Sequence, residues 1–421
     1  MYFPRLLEQK VLALSRHFKV VLVLGARQVG KSTLLRHLFP SYKRFVFDPV
    51  QDLFQVRTDP DLFLKSIPTP MILDEVQYVP ELLSALKRWV DERPEPGQFI
   101  LTGSQNFAML KTIAESLAGR VGIVELSPMT FLEGQGRGHT VPWLDAWLKQ
   151  DLSGLQDGAG LPNLSLHYMI WRGGYPGILN LPDSLIADHF NSYLQTYIER
   201  DVRTLSGVEN LQLFYNFVRL KAALTSQEVN HAQRGRELGI AMTTAQKWSS
   251  HLSHTYLWHE VSSYSGNTLK RITKKPKGYL NDTGLACHLM RISSHEALLG
   301  HPSLGALFET YCLNQIQAFA KSLNLQPHFY HWRSNGGAEV DLILERDGCL
   351  FPLEFKCKTA LTKRDAQGIQ AFRKTYQEQQ RIAPGLVMYA GDYFIRLSED
   401  VYALPWNWLL KDKGKEKEIT N

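Results

Sequence analysis

Val20-Val21-Leu22-Val23-Leu24-Gly25-Ala26-Arg27-Gln28-Val29-Gly30-Lys31-Ser32 is an apolar run that breaks at a glycine and leads into a phosphate-binding loop. Val20 to Leu24, β-branched and leucine throughout, suit a parallel strand buried on both faces. Gly25 permits a sharp exit, and Gly30 lets the backbone pass a phosphate where a Cβ would collide. Lys31-Ser32-Thr33-Leu34-Leu35-Arg36 read as the first turns of a helix whose free N–H groups and dipole face an anion. The spacing is GxxxxGK[ST], so Gly25, Ala26, Arg27, Gln28, Val29, Gly30, Lys31, Ser32 and Thr33 form the expected nucleotide cradle. Lys31 reaches the β- and γ-phosphates, and the Ser32 hydroxyl is a ligand for Mg²⁺.

A second apolar strand, Met71-Ile72-Leu73, ends in Asp74-Glu75 about forty residues later. Asp74 is expected to hold Mg²⁺ through its water shell, and Glu75 to orient or deprotonate the attacking water. Acidic residues at a strand end can also be a simple turn, but the pairing with the loop favours the Walker B role. A third strand, Phe99-Ile100-Leu101-Thr102, ends in Gly103-Ser104-Gln105-Asn106, where Ser104 and its neighbours are placed to sense the γ-phosphate. The alternative there is a polar strand-to-helix turn.

With GARQVGKST from Gly25, ILDEVQ from Ile72, LTGSQ from Leu101, SLAGRV from Ser116, YIERD from Tyr197 and DTGL from Asp282, nearly the whole chain resembles a family of prokaryotic AAA-type ATPases. That family couples the ATPase core to a C-terminal domain of uncharacterised role. The resemblance implies that Arg120, the arginine of SLAGR, triggers hydrolysis as a finger stabilising transition-state charge. From the residues alone, Arg120 is one arginine before the strand Val121 to Leu126, and a salt bridge serves equally well. A finger acting in trans would require a homo-oligomer.

A length of 421 residues leads to an expectation of two to four domains, and 44% hydrophobic with 11% aromatic content marks an ordinary globular protein. No apolar stretch approaches the eighteen or more residues of a membrane span, and MYFPRLLEQK lacks a signal-peptide layout, so the expected location is the cytoplasm with no membrane partner. Cys287, Cys312, Cys349 and Cys357 form no CxxC pair and are expected to be reduced and mostly buried. His251, His254 and His259 lack acidic or thiol partners at ligand spacing, which argues against a metal there. No internal repeat is evident.

The formal charge is +6, and between residues 206 and 280 ten basic residues face four acidic ones, an excess equal to that of the whole chain. The basic residues are Arg219, Lys221, Arg234, Arg236, Lys247, Lys270, Arg271, Lys274, Lys275 and Lys277. Leu211 to Leu224 has a helical pattern, Ser226 with Glu228 opens a second short helix, and Ile240 to Thr244 supply a turn and N-cap for a third through Leu252. Tyr256 to Tyr264, the turn Ser265-Gly266-Asn267 and Thr268 to Thr273 read as a hairpin. Three helices and a basic hairpin describe a winged helix-turn-helix, whose third helix can enter the major groove of DNA while the wing meets phosphates. The alternative is a lid or protein contact with a solvated basic face.

Near the C-terminus, Glu339-Val340-Asp341-Leu342-Ile343-Leu344-Glu345, the turn Arg346-Asp347-Gly348 and Cys349 to Lys358 read as a hairpin. Alternation puts Glu339 with Asp341 on one face, and Glu354 with Lys356 on one face of the partner. Asp341 and Glu354 could hold Mg²⁺ or Mn²⁺, with Lys356 positioning water or stabilising charge. The D…ExK spacing resembles the PD-(D/E)XK, restriction-endonuclease-like fold, which implies Glu309 on the preceding helix as a further site residue. Two departures stand out: no proline precedes Asp341, and Gln367 and Gln370 lack the following tyrosine spacing of the RecB-like branch, the nearest being Tyr376. An ion-paired, non-catalytic hairpin is the alternative.

Further breaks fall at Gln150 to Asn163 and at Trp171 to Pro176, with a helix from Asp183 to Arg203 leading out of the ATPase, and Lys411 to Lys417 reads as a solvated tail. The expected architecture is thus α/β: an ATPase core with a connecting helix over 1–204, a winged helix-turn-helix over 205–292, and a small nuclease-like α/β domain over 293–421. The expected function is ATP hydrolysis coupled to that last domain, with DNA as partner. The competing expectation is an ATP-dependent conformational scaffold without nuclease activity.

Overall fold

The apolar run ahead of the phosphate loop forms strand β1 (Val20–Leu24), buried at every position. In the computed structural model, which describes residues 2–48, 53–104, 117–198, 202, 208, 210–267, 269, 271 and 274–411, β1 is flanked by parallel partners on both sides. The sheet comprises β2 (Lys43–Val46), β3 (Met71–Asp74), β4 (Phe99–Gly103) and β5 (Val121–Glu125) in the order β2-β3-β4-β1-β5. Its register puts Leu24 opposite both Gly103 and Glu125, and Val46 opposite Asp74. The C-terminal ends of β1, β3 and β4 therefore share one edge, which is where a parallel α/β sheet collects ligand-binding groups. Helix Glu81–Glu92 covers the sheet with Leu82, Leu83, Ala85, Leu86 and Val90, buried at helical spacing.

Beyond this sheet, the Gly- and Asp-containing segment expected as a break carries the helix Leu152–Gln156 and strand β6 (Ala159–Gly160), which pairs with β17 (Trp408–Leu409) near the other end of the chain. The sections share a core: Trp147 packs edge-on against Phe351 at 5.5 Å and donates its indole N–H to the Pro384 carbonyl at 2.9 Å. The exit helix spans Ile186–Tyr197, and residues 199–201 and 203 of the expected continuation lie outside the described residues.

Helices Leu211–Ala223, His231–Leu238 and Met242–His254 follow, the first two capped by Asn210 and Asn230. Two sequence expectations fail here. Ser226 to Glu228 do not open a helix: Gln227–Glu228 form strand β7, entered through Ser226 at φ +63°. The strand returning from β8 (Trp258–Ser263) is β9 (Lys277–Leu280), which pairs with β8 and β7, rather than Thr268 to Thr273. Leu269 and Arg271 are helical, and Thr268, Lys270, Ile272 and Thr273 lie outside the described residues. These short strands were invisible to alternation because Gln227-Glu228 and Lys277-Gly278 are not apolar; their pairing partners stabilise them.

The C-terminal α/β section packs the helix Leu304–Ser322 and the helix Gln367–Tyr376 against β10 (His328–Arg333), β11 (Glu339–Arg346), β12 (Cys349–Lys356), β13 (Arg381–Ile382), β14 (Gly385–Tyr389), β15 (Ile395–Ser398) and β16 (Val401–Pro405). The hairpin β11–β12 turns on Asp347 and Gly348, both at positive φ, as the tight two-residue turn requires. β10 also pairs in parallel with β8, through Tyr330 to Ser262 and His331 to Ser263. One sheet thus runs β15-β16-β14-β12-β11-β10-β8-β9-β7 across the expected boundary at 292/293.

Candidate functional site

The phosphate loop is held in a conformation few side chains tolerate. Gly25 has φ +144°, and a Cβ there would lie 2.3 Å from the Leu126 carbonyl oxygen. Gln28 and Gly30 also take positive φ, at 62° and 97°. Lys31 opens the helix Lys31–Leu38 and folds back, its Nζ donating to the Gly25 and Ala26 carbonyls at 2.9 Å each. Arg27 donates to the Tyr78 hydroxyl at 2.7 Å, Val29 is buried, and Thr33 is exposed. Arg5, which the sequence reading missed, is buried beneath the loop. It donates to the Val29 carbonyl and the Ser127 carbonyl at 2.7 Å each, and to Glu133 at 2.9 Å. No local pattern marks Arg5, since its partners are up to 128 residues away.

Asp74, at the end of β3, is 1% exposed and engaged by the Thr102 hydroxyl, Arg44 and the Ser32 hydroxyl. Burial pushes its carboxyl up, but the hydrogen bonds from Thr102, Arg44 and Ser32 outweigh that, and its pKa lies below the usual aspartate value. Neither Arg44 nor Thr102 was singled out from sequence. Glu75 sits in the left-handed region at φ +60°. One of its carboxylate oxygens accepts from the Ser104 hydroxyl at 3.0 Å and from the Gln77 amide at 2.5 Å. Lys31, Ser32, Asp74, Glu75 and Ser104 are thereby gathered at one sheet edge. Gln105 and Asn106 lie outside the described residues.

Arg120 is not among that group. It precedes β5 at the opposite edge, its carbonyl accepting from Val20 N–H at 3.3 Å, and its guanidinium pairs with Asp91 at 2.5 Å. Five residues of strand separate it from the loop of its own chain, about 16 Å.

The second cluster lies where β9, β11, β12 and the helix Leu304–Ser322 converge. Leu342 opposite Leu353 sets Asp341 beside Glu354 across the hairpin. Asp341 accepts from Phe355 N–H at 3.0 Å, and Lys356 donates to Glu354 at 2.9 Å. Glu309 accepts from the Tyr279 hydroxyl at 2.7 Å. All three expected carboxylates are together, but Lys277 stands among them, with Nζ at 3.1 Å from Glu309, 2.5 Å from Glu339 and 3.2 Å from Asp341. Burial, then the Asp341 charge, pushes Glu309 up to about 7. The same two causes raise Glu354 well above the carboxylate range. Asp341 ends below its ordinary value, because Lys277 and Lys356 outweigh its burial. Burial alone would lower the Lys277 ammonium, but Glu309 and Asp341 hold it well above the lysine range. The groove over this cluster has a volume of about 1070 Å³ and is rimmed by Arg333, Lys358 and Arg364.

Among the described residues, no group of three or more His, Cys, Asp or Glu side chains is arranged to hold a metal ion. At the first site the donor set still suits Mg²⁺: a hydroxyl and an anionic carboxylate, already in hydrogen-bond contact. At the second site it does not fit as arranged, since of the two carboxylates expected to bind Mg²⁺ or Mn²⁺, Asp341 is paired with the Lys277 ammonium and Glu354 with that of Lys356.

Residues 17–134 match the model of an AAA domain. This part of the chain is thus similar to AAA domains. Residues 163–296 match a domain of unknown function (DUF8612), and residues 304–409 match another (DUF4143). An uncharacterized protein of Mycobacterium tuberculosis is 28% identical over 395 residues, covering 93% of this chain and 81% of its own, and an uncharacterized protein of Mycobacterium bovis gives the same figures. Among solved structures, a Walker-type ATPase of Pyrococcus abyssi is 16% identical at a TM-score of 0.40, covering 67% of this chain and 94% of that one. The Thermotoga maritima RuvB Holliday junction branch migration motor is 18% identical at a TM-score of 0.31, covering 62% and 90%.

Among the described residues, much of the charge in the basic segment that follows residues 17–134 is buried or paired. Lys221 is fully buried, lies 3.9 Å over the Trp258 ring, and is pushed down by burial to about 6. Arg234 and Lys277 are buried, Arg219 donates to the Leu289 carbonyl, and Arg271 pairs with Glu345 at 2.9 Å. Among the described residues of that segment, Arg236, Lys247, Lys274 and Lys275 are the exposed cations. Of the three histidines, His259 is half-buried and stacks on Tyr279 at 5.5 Å, and burial lowers it to about 4. Cys287, Cys312 and Cys349 are buried, and Cys357 is half-buried. No helix among the described residues is long and apolar enough to cross a membrane.

Proposed function

We propose that this chain is a Mg²⁺-dependent ATPase of the cytoplasm whose nucleotide state sets the conformation of a C-terminal domain built like a PD-(D/E)XK nuclease. The observation carrying it is the convergence of Lys31, Ser32, Asp74, Glu75 and Ser104 at one edge of the parallel sheet. Lys31 exchanges the Gly25 and Ala26 carbonyls for the β- and γ-phosphates of ATP. Ser32 and Asp74 hold Mg²⁺, which when bound offsets the phosphate charge. Glu75, its carboxylate fixed by Ser104 and Gln77, orients the attacking water and accepts its proton. Arg120, one-third exposed at the far edge, serves a neighbouring chain's site if the protein assembles into a homo-oligomer.

The three helices with β7, β9 and β8 support a winged helix-turn-helix over 205–292, which shares its sheet with the 293–421 domain and adjoins the 1–204 core. DNA as a partner is supported by Arg236, Lys247, Lys274 and Lys275, whereas the six other basic residues counted from the sequence contribute no described exposed charge. That balance favours a nucleotide-driven switch over a strong nonspecific DNA binder. The test is steady-state ATP turnover with nucleotide binding measured beside it. Glu75→Gln is expected to bind ATP normally and to hydrolyse it at least about 100-fold more slowly. Wild-type turnover by Glu75→Gln would remove Glu75 from the mechanism.

A further inference from the structure

We propose that Lys277 is the resident cation of the C-terminal carboxylate cluster, closing it to divalent metal, and that the strand carrying it links this cluster to the nucleotide site. The linkage rests on the phosphate loop binding nucleotide; the closure by Lys277 does not.

The closure follows from valence and spacing. An ammonium has three donors. Lys277 has three carboxylate partners, Glu309, Glu339 and Asp341, within 2.5 to 3.2 Å. Oxygens gathered at those separations suit N–H donors, whereas Mg²⁺ draws its ligands in to about 2.0–2.1 Å. The lysine is not a surface side chain that has fallen in. It is 6% exposed, and β9 fixes it in register with Glu228 on one side and Val261 on the other. Tyr279, two residues along the same strand, donates to the same Glu309 oxygen as Lys277, at 2.7 Å.

The linkage follows from what else β9 touches. The strand continues through Asn281, whose N–H donates to the Leu257 carbonyl at 3.0 Å, into Asp282. Asp282 accepts from Gly174 N–H at 2.7 Å. The Gly174 carbonyl accepts from Met129 N–H at 2.7 Å, and Met129 lies three residues past Leu126, whose carbonyl oxygen abuts Gly25. Gly173 allows no slack: it has φ +78°, and a Cβ there would lie 2.4 Å from the Asp282 carboxylate. A continuous series of contacts thus runs from the phosphate loop to Asp282, and from there about 17 Å of extended chain reaches Lys277.

The experiment is titration of the full chain with Mn²⁺ in the absence of nucleotide, followed by electron paramagnetic resonance of free Mn²⁺. Wild type is expected to bind no Mn²⁺ at this cluster. Lys277→Met is expected to gain one Mn²⁺ per chain, and adding Asp341→Asn to remove it again. Because removing a buried cation could unfold the domain, Asp282→Ala provides a second arm: it frees the strand from Gly174 without altering the cluster and is expected to bind Mn²⁺ at the cluster, where wild type binds none. Closure by Lys277 is overturned if wild type binds Mn²⁺ and loses it on Asp341→Asn, or if folded Lys277→Met binds no more than wild type. Mn²⁺ binding by folded Asp282→Ala no greater than by wild type overturns the linkage. ATP turnover, measured separately, reports on the phosphate loop and is independent of all these outcomes.

Discussion

Asp282 shows how one buried group can both join two parts of a molecule and charge a cost for it. Its carboxylate caps the helix Thr283–Leu289 through Leu285 N–H at 2.8 Å and receives Gly174 N–H, yet burial pushes its pKa up to about 6. A carboxyl raised in the folded state binds its proton more tightly there than in the unfolded chain. Its stabilising contribution is therefore complete below the unfolded value, near pH 4, and is lost as pH rises through about 6. Over that window the loss is about 3 kcal/mol. Denaturant titrations from pH 4 to pH 7 should show stability falling with pH in wild type and a flatter profile in Asp282→Asn, which keeps a capping oxygen and cannot ionise. An equally steep fall in the variant would assign the slope to other groups. Lys277 teaches the complementary lesson. Read in sequence beside Lys274 and Lys275 it looks like a wing residue facing phosphate, and only the pairing of β9 shows that it faces three carboxylates instead.

At the level of elements, legibility tracked locality. The strands β1, β3 and β4 were evident because five or so consecutive apolar residues end in Gly, Asp or Ser, and the hairpin β11–β12 because its alternation and its Asp347-Gly348 turn are contained within eighteen residues. β7 and β9 were not, because their sequences are polar or mixed and their stability comes from neighbours about fifty residues apart. Likewise Lys31, Ser32, Asp74 and Glu75 are carried by strand ends that the spacing reveals, whereas Arg5, Arg44 and Thr102 act through partners that no spacing predicts. The loop itself makes a sharp test of the element view. Gly25→Ala must place a Cβ 2.3 Å from the Leu126 carbonyl at a φ that alanine rarely adopts. It should destabilise the protein by at least about 2 kcal/mol and abolish ATP binding. Measuring both by thermal unfolding and fluorescent-nucleotide titration checks it, and an alanine variant with normal affinity would mean the loop is free to move away from Leu126.

Across the whole molecule, the AAA domain and the C-terminal α/β section share a core and are joined by a strand that belongs to neither. The net charge of +6 locates no binding surface by itself, since Lys221, Arg234 and Lys277 spend their charge or lose it inside the protein. What the fold offers instead is a path from Gly25 through Gly174 and Asp282 to Lys277. The most direct measurement of whether that path works is amide hydrogen exchange over residues 277–282, with and without a non-hydrolysable ATP analogue and Mg²⁺, in wild type and in Lys31→Ala. The account predicts that the analogue changes exchange in this stretch at least several-fold in wild type and leaves Lys31→Ala unaltered. Identical exchange with and without saturating nucleotide in wild type would contradict it, and would confine the action of ATP to the AAA domain.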